Sequence, residues 1–196
     1  MSRARIGGIL LAAGSARRFG SDKRFALLQA GDTLIARSAR VLAQAVDECI
    51  VVVGCDDSAE RFAALLPGWK VIRAEDSAEG MGASLASAAR VLPGEWDGCL
   101  VALADKPFVR RETALVVREA LLDRIVVPCY GGEWGHPVGF PRRLFPALAA
   151  LHGESGGRSL IVAEASSACF LDVDDPGVQL DIDTPVALAV AAAQFP

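Results

Sequence analysis

No apolar run in the sequence approaches the roughly 18 residues that a membrane-crossing helix needs, so no membrane partner is expected. An excess of basic charge is also missing: 20 Lys and Arg stand against 24 Asp and Glu, a formal net charge of −4. Without a broad basic face, nucleic acid is excluded as a partner. The five cysteines form no Cys-x-x-Cys pair and have no histidine at ligand spacing, which argues against zinc and against a disulfide framework. Asparagine is absent. Histidine occurs only as His136 and His152, and lysine only as Lys23, Lys70 and Lys106, so arginine supplies most of the positive charge. What is abundant is apolar: 52% hydrophobic residues against 22% charged, enough for a substantial core and incompatible with intrinsic disorder. The basic start resembles that of a signal peptide, but the apolar stretch after it breaks at Gly14 and meets Arg17 and Arg18. It reads as a first strand, and a cytoplasmic protein is expected.

Strand-length apolar runs alternate with stretches of helical period. Strands are predicted over residues 6–12, 49–53, 69–73, 99–103 and 124–129, and helices over 32–46, 58–66, 83–92 and 112–122. The rhythm changes after Tyr130. Residues 130–141, rich in glycine and proline, read as an excursion or hairpin. A helix near 142–151, a loop over 153–157, a helix to about 165, a strand over 168–173 and a helix over 185–193 follow. Thr184 is placed as N-cap of the last helix, with Pro185 in its first turn. The alternation predicts an α/β protein, a single domain over 1–196 with a three-layer, mostly parallel sheet and helices on both faces.

Ligands of such sheets bind at the carboxyl ends of the strands. After the first strand comes Leu11-Ala12-Ala13-Gly14, then Arg18, Gly20 and Lys23. Small residues let backbone N–H groups approach a polyphosphate, and the cations neutralise it. The loop is neither a Walker A sequence nor Gly-x-Gly-x-x-Gly, and its composition also suits an ordinary strand-to-helix connection. Gly80-Met81-Gly82-Ala83-Ser84 opens a helix, Asp105 ends a buried strand at the ligand edge, and Asp183 precedes the last helix. His136 sits between Gly135 and Pro137, and Arg158 follows a glycine-rich loop.

These segments together resemble the nucleotidyltransferases of glycosyltransferase-A-like fold, and within them the molybdenum cofactor nucleotidyltransferases. Leu11–Lys23 is similar to their signature loop and Gly80-Met81-Gly82-Ala83-Ser84-Leu85 to the cytidylyltransferase branch. Leu103-Ala104-Asp105-Lys106-Pro107, Gly135-His136-Pro137-Val138, the segment from Gly153 to Arg158, and Asp181-Ile182-Asp183-Thr184-Pro185 follow in the family's order. The chain departs from the pattern at Ala16, Lys106 and Glu154. The resemblance implies magnesium-dependent transfer of CMP from CTP to a molybdopterin-type acceptor, with pyrophosphate as product and a molybdoenzyme or its chaperone downstream. It implies catalytic roles for Arg18, Lys23 and Asp105, and nucleotide binding by these and by Ala12, Ala13, Gly14, Gly80, Gly82 and Ser84. His136 and Arg158 are assigned to the acceptor, and Asp105 and Asp183 to Mg2+, with Asp181 as the substitute for Asp183. Lys106 is expected to grip a phosphate, because strand alternation turns it away from Asp105. Guanylyl transfer, another phosphorylated acceptor, or a non-catalytic binding protein on the same fold are the competing readings.

Overall fold

The computed structural model of the chain describes residues 3–14, 19, 22–28 and 31–194. Its centre is one eight-stranded sheet. The strands are β1 (Ile6–Leu11), β2 (Glu48–Gly54), β3 (Lys70–Ala74), β4 (Gly98–Leu103), β5 (Val126–Tyr130), β6 (Glu133–Trp134), β7 (Val138–Pro141) and β8 (Cys169–Asp172). They lie in the order β3-β2-β1-β4-β7-β5-β6, with β8 beside β5. Strands β1 to β4 pair in parallel, as does β8 with β5, whereas β7 runs antiparallel to both β4 and β5. The helices are α1 (Leu34–Ala43), α2 (Ala59–Leu65), α3 (Met81–Ala89), α4 (Arg111–Ala120), α5 (Phe145–Ala149), α6 (Arg158–Ala163) and α7 (Pro185–Gln194).

Strand β1 shows why its sequence is apolar at every position. Ile9 and Leu11 point to one face of the sheet, where Leu85 and Ala88 of α3, Leu148 of α5 and Ile161 of α6 cover them. Ile6 and Leu10 point to the other, under Ile35 and Leu42 of α1, Phe62 of α2, and Ala114 and Val117 of α4. A strand covered on both sides has no polar face to show. Gly7 leaves room for the fully buried indole of Trp96: a Cβ there would stand 1.9 Å from the ring. All five cysteines are free; Cys99 is fully buried in the core, and burial raises its thiol pKa.

Two elements differ from expectation. The 130–141 segment does form a hairpin, β5 with β6, but its end inserts β7 between β4 and β5. The helix expected near 142–151 is a 3-10 turn, Arg142–Leu144, running into the short α5, where Pro146 occupies the first turn.

Candidate active site

The carboxyl ends of β1, β2 and β4 open onto a cleft of about 780 Å³. Ala12, Ala13 and Gly14 after β1, Gly54 to Asp57 after β2, and Leu103 to Asp105 at β4 form its sheet side. Gly80, Met81 and Ser84 at the start of α3, together with Glu154, face them.

Lys23 stands at the centre of the charge. Its Nζ lies 2.9 Å from Asp105 Oδ2 and 2.7 Å from Asp183 Oδ1. Burial opposes the charged ammonium, but the hydrogen bonds to the two carboxylates outweigh it and raise its pKa above the usual lysine value. Residues so distant in sequence meet because the backbone N–H of Ile182 donates to the carbonyl of Asp105 at 3.0 Å. Ile182 itself is buried against Leu34 and Phe108, so alternation along this extended segment leaves its neighbours Asp181 and Asp183 at the surface. Asp105 and Asp183 thus offer two carboxylate oxygens to one point, a hard all-oxygen donor set of the kind a divalent cation such as Mg2+ takes with phosphate oxygens completing its shell. Among the described residues no group of three or more His, Cys, Asp or Glu converges in this way.

Arg18 lies outside the described residues. Ser84 borders the cleft, its hydroxyl donating to the Gly80 carbonyl. The glycines of the α3 start answer first to the protein itself. Gly80 has φ +123°, and a Cβ on it would meet the Glu154 Cα at 2.7 Å. Gly82 does not line the cleft. Its N–H donates to the Gly153 carbonyl at 2.8 Å, and a Cβ there would stand 2.6 Å from the His152 oxygen.

The remaining assigned residues stand elsewhere. Lys106 neither pairs with Asp105 nor faces the cleft. It is buried, with Nζ 2.8 Å from Asp181 Oδ1, which corrects the expectation that it grips phosphate and also occupies Asp181. His136 is half-buried beside Lys106 at a void of about 10 Å³, too small for a substrate. Burial, then the Lys106 charge, push its imidazole down to about 3. Arg158 is exposed with its guanidinium 4.9 Å from the Trp134 ring centroid, a cation–π contact. Neither His136 nor Arg158 lines the cleft.

Sequence reasoning missed Arg24, Asp22 and Asp57. Arg24 lies along the cleft between the two aspartates, with its guanidinium 5.0 Å from the Phe62 ring centroid. Hydrogen bonds to both aspartates raise its pKa against the opposing effect of burial. Asp57 does not cap α2, as Ser58 does that; its carboxylate serves Arg24 and the N–H of Gly54. The only signal in the sequence was the adjacency of Arg24 to Lys23.

The chain is similar to known proteins. The purine catabolism protein PucB of Bacillus subtilis is 27% identical over 191 residues, covering 91% of both chains. Nicotine blue oxidoreductase of Paenarthrobacter nicotinovorans is 27% identical over 190 residues, covering 91% of this chain and 92% of its own. The crystal structure of Rv0371c from Mycobacterium tuberculosis in complex with manganese superposes with a TM-score of 0.82 at 29% identity, covering 98% of this chain and 100% of its own. Residues 8–168, from the second glycine of β1 to the residue before β8, match the MobA-like NTP transferase domain, and the chain belongs to that family.

Proposed function

We propose that the cleft binds a nucleoside triphosphate with a divalent cation, Mg2+ in the cell, and transfers its nucleotidyl group to a phosphorylated small molecule. An acceptor oxygen attacks the α-phosphorus, the bond from that phosphorus to the bridging oxygen breaks, and pyrophosphate leaves with the electron pair. The observation that carries this reading is the convergence of Lys23, Asp105 and Asp183 at the carboxyl edge of the sheet, beside the open start of α3. Asp105 and Asp183 would hold the cation, whose chemistry is to neutralise charge on the triphosphate and on departing pyrophosphate. Lys23 lines the same cleft, where its ammonium would hold the β- and γ-phosphates once its carboxylate partners served a cation. Its compact ammonium suits exchange between partners. The manganese held by the Rv0371c relative supports the cation; nicotine blue oxidoreductase carries an oxidoreductase name, so the chemistry here rests on this site rather than on overall likeness.

CTP is the favoured nucleotide and a molybdopterin-type compound the favoured acceptor, with a molybdoenzyme or its chaperone receiving the product. Ala13 lines the cleft, where its methyl would leave a purine less room than a glycine would, and the Gly80-Met81-Gly82 segment is similar to the CTP branch. The test is pyrophosphate release from CTP and from GTP, each with and without molybdopterin. Release from CTP that requires the acceptor is expected. Equal or faster release from GTP overturns the base assignment, and no release from either nucleotide overturns nucleotidyl transfer.

A further inference from the structure

We propose that Arg24 is the positioning residue of the cleft, fixing where Lys23 stands while itself touching no substrate. A guanidinium has five N–H donors, and here all five are committed to protein acceptors. Nε donates to Asp22 Oδ1 at 2.8 Å and Nη2 to Asp22 Oδ2 at 2.7 Å. Nη1 and Nη2 grip Asp57 Oδ2 and Oδ1, each at 2.6 Å, in the bidentate geometry that only arginine offers. The last donor, on Nη1, reaches the Ala12 carbonyl at 2.6 Å, where β1 ends. No N–H remains for a phosphate or a base unless one of these bonds is given up.

The three acceptors belong to three different segments beside the cleft. Asp22 caps the short 3-10 turn Lys23–Phe25, Ala12 follows β1, and Asp57 lies in the loop after β2, where it also accepts from the Gly54 N–H at 2.7 Å. Lys23 and Arg24 are consecutive, yet their side chains part: Lys23 goes to the carboxylates beside β4, and Arg24 braces against β1 and β2. The brace therefore sets the backbone position from which Lys23 reaches its partners. An ammonium at position 24 has three donors and no planar fork, so Arg24→Lys cannot make the paired bonds to Asp22 and Asp57 together with the one to Ala12.

The inference rests on the reading of Lys23 given above for its functional meaning, but its test does not depend on turnover. The chain has only three lysines, so isotope-labelled lysine gives three side-chain resonances in NMR, and Lys23→Met identifies the one that matters. In nucleotide-free protein, Asp57→Asn and Arg24→Lys are expected to shift or broaden the Lys23 signal while leaving those of Lys70 and Lys106 in place. Arg24→Lys adds a fourth resonance without restoring the first. Where either variant fails to fold, Asp22→Asn, which weakens only one arm of the brace, is read in the same way. A Lys23 resonance unmoved in variants that fold overturns the proposal. In the active enzyme the same variants are expected to raise the KM for nucleotide about tenfold and leave the KM for acceptor unchanged; equal loss on both substrates also overturns it. If no nucleotide is turned over at all, the proposed activity fails while the resonance result still decides the role of Arg24.

Discussion

Lowering the pH from about 7 to about 5 is expected to weaken the fold mainly through one residue, His136. Its imidazole is held neutral by burial and by the Lys106 ammonium, with a pKa of about 3 against 6.5 for the free side chain. The unfolded chain therefore takes up a proton near pH 6.5 that the folded chain refuses until about pH 3. Proton uptake by the unfolded state alone makes stability fall as pH falls, by about 1.4 kcal/mol per unit inside that window. Between about pH 6.5 and 5 the ceiling is about 2 kcal/mol, and a half-buried ring that keeps some contact with water stays under it. Acidic residues do not obscure the measurement. Despite burial, Arg24 depresses the folded pKa of Asp22, and the Ile6 N–H followed by Arg118 depresses that of Asp47, so both lose their contribution only as pH drops below their unfolded value of 3.8. The assay is urea unfolding followed by circular dichroism at the two pH values, in the wild type and in His136→Gln. The wild type is expected to lose roughly 1 to 2 kcal/mol and the variant less than about 0.5 kcal/mol. Equal loss in both, or none in the wild type, refutes the argument.

Three further outcomes follow from the same geometry. Lys23→Ala is expected to cut turnover at least about tenfold, roughly 1.4 kcal/mol of activation free energy, and wild-type kinetics in that variant would show that the lysine holds no phosphate. Asp105→Ala and Asp183→Ala are each expected to move the magnesium dependence of activity to higher concentration, and an unchanged dependence and rate in both removes the proposed cation site. Gly7→Ala drives a methyl into the fully buried Trp96 ring, so a loss of about 3 kcal/mol in denaturant melts is expected, and a near-neutral result would mean that the indole has somewhere else to go.

Strands β1, β2 and β4 were legible because a strand covered on both faces announces itself as a nearly unbroken apolar run, and β3, at the sheet edge, by the apolar pair Val71 and Ile72. The position of β7 was not: Val138–Pro141 is four residues long, follows Pro137 and ends in a proline, and pairs with strands that its own composition says nothing about. The site divided in the same way. Asp105 stood out as the acid ending an apolar strand, whereas Lys23, in the loop after β1, and Asp183, before the last helix, drew notice chiefly through the family resemblance; the structure brings all three together. The destination of Lys106 depended on Asp181, and the role of Arg24 on Asp57, partners whose distance in sequence no local pattern encodes. The α3 glycines were legible as special but not for their reason, since the backbone of residues 152–154 presses on them.

The docking of Ile182 on Asp105 also sets a time at which the protein acquires its chemistry. Lys23 and Asp183 are separated by 160 positions, so a ribosome that has finished β1 to β4 has made the floor of the cleft but only one of its two paired carboxylates. A nascent chain halted anywhere before residue 183 lacks the second anionic partner of Lys23. Unfinished copies therefore lack the arrangement in which Lys23 stands between Asp105 and Asp183.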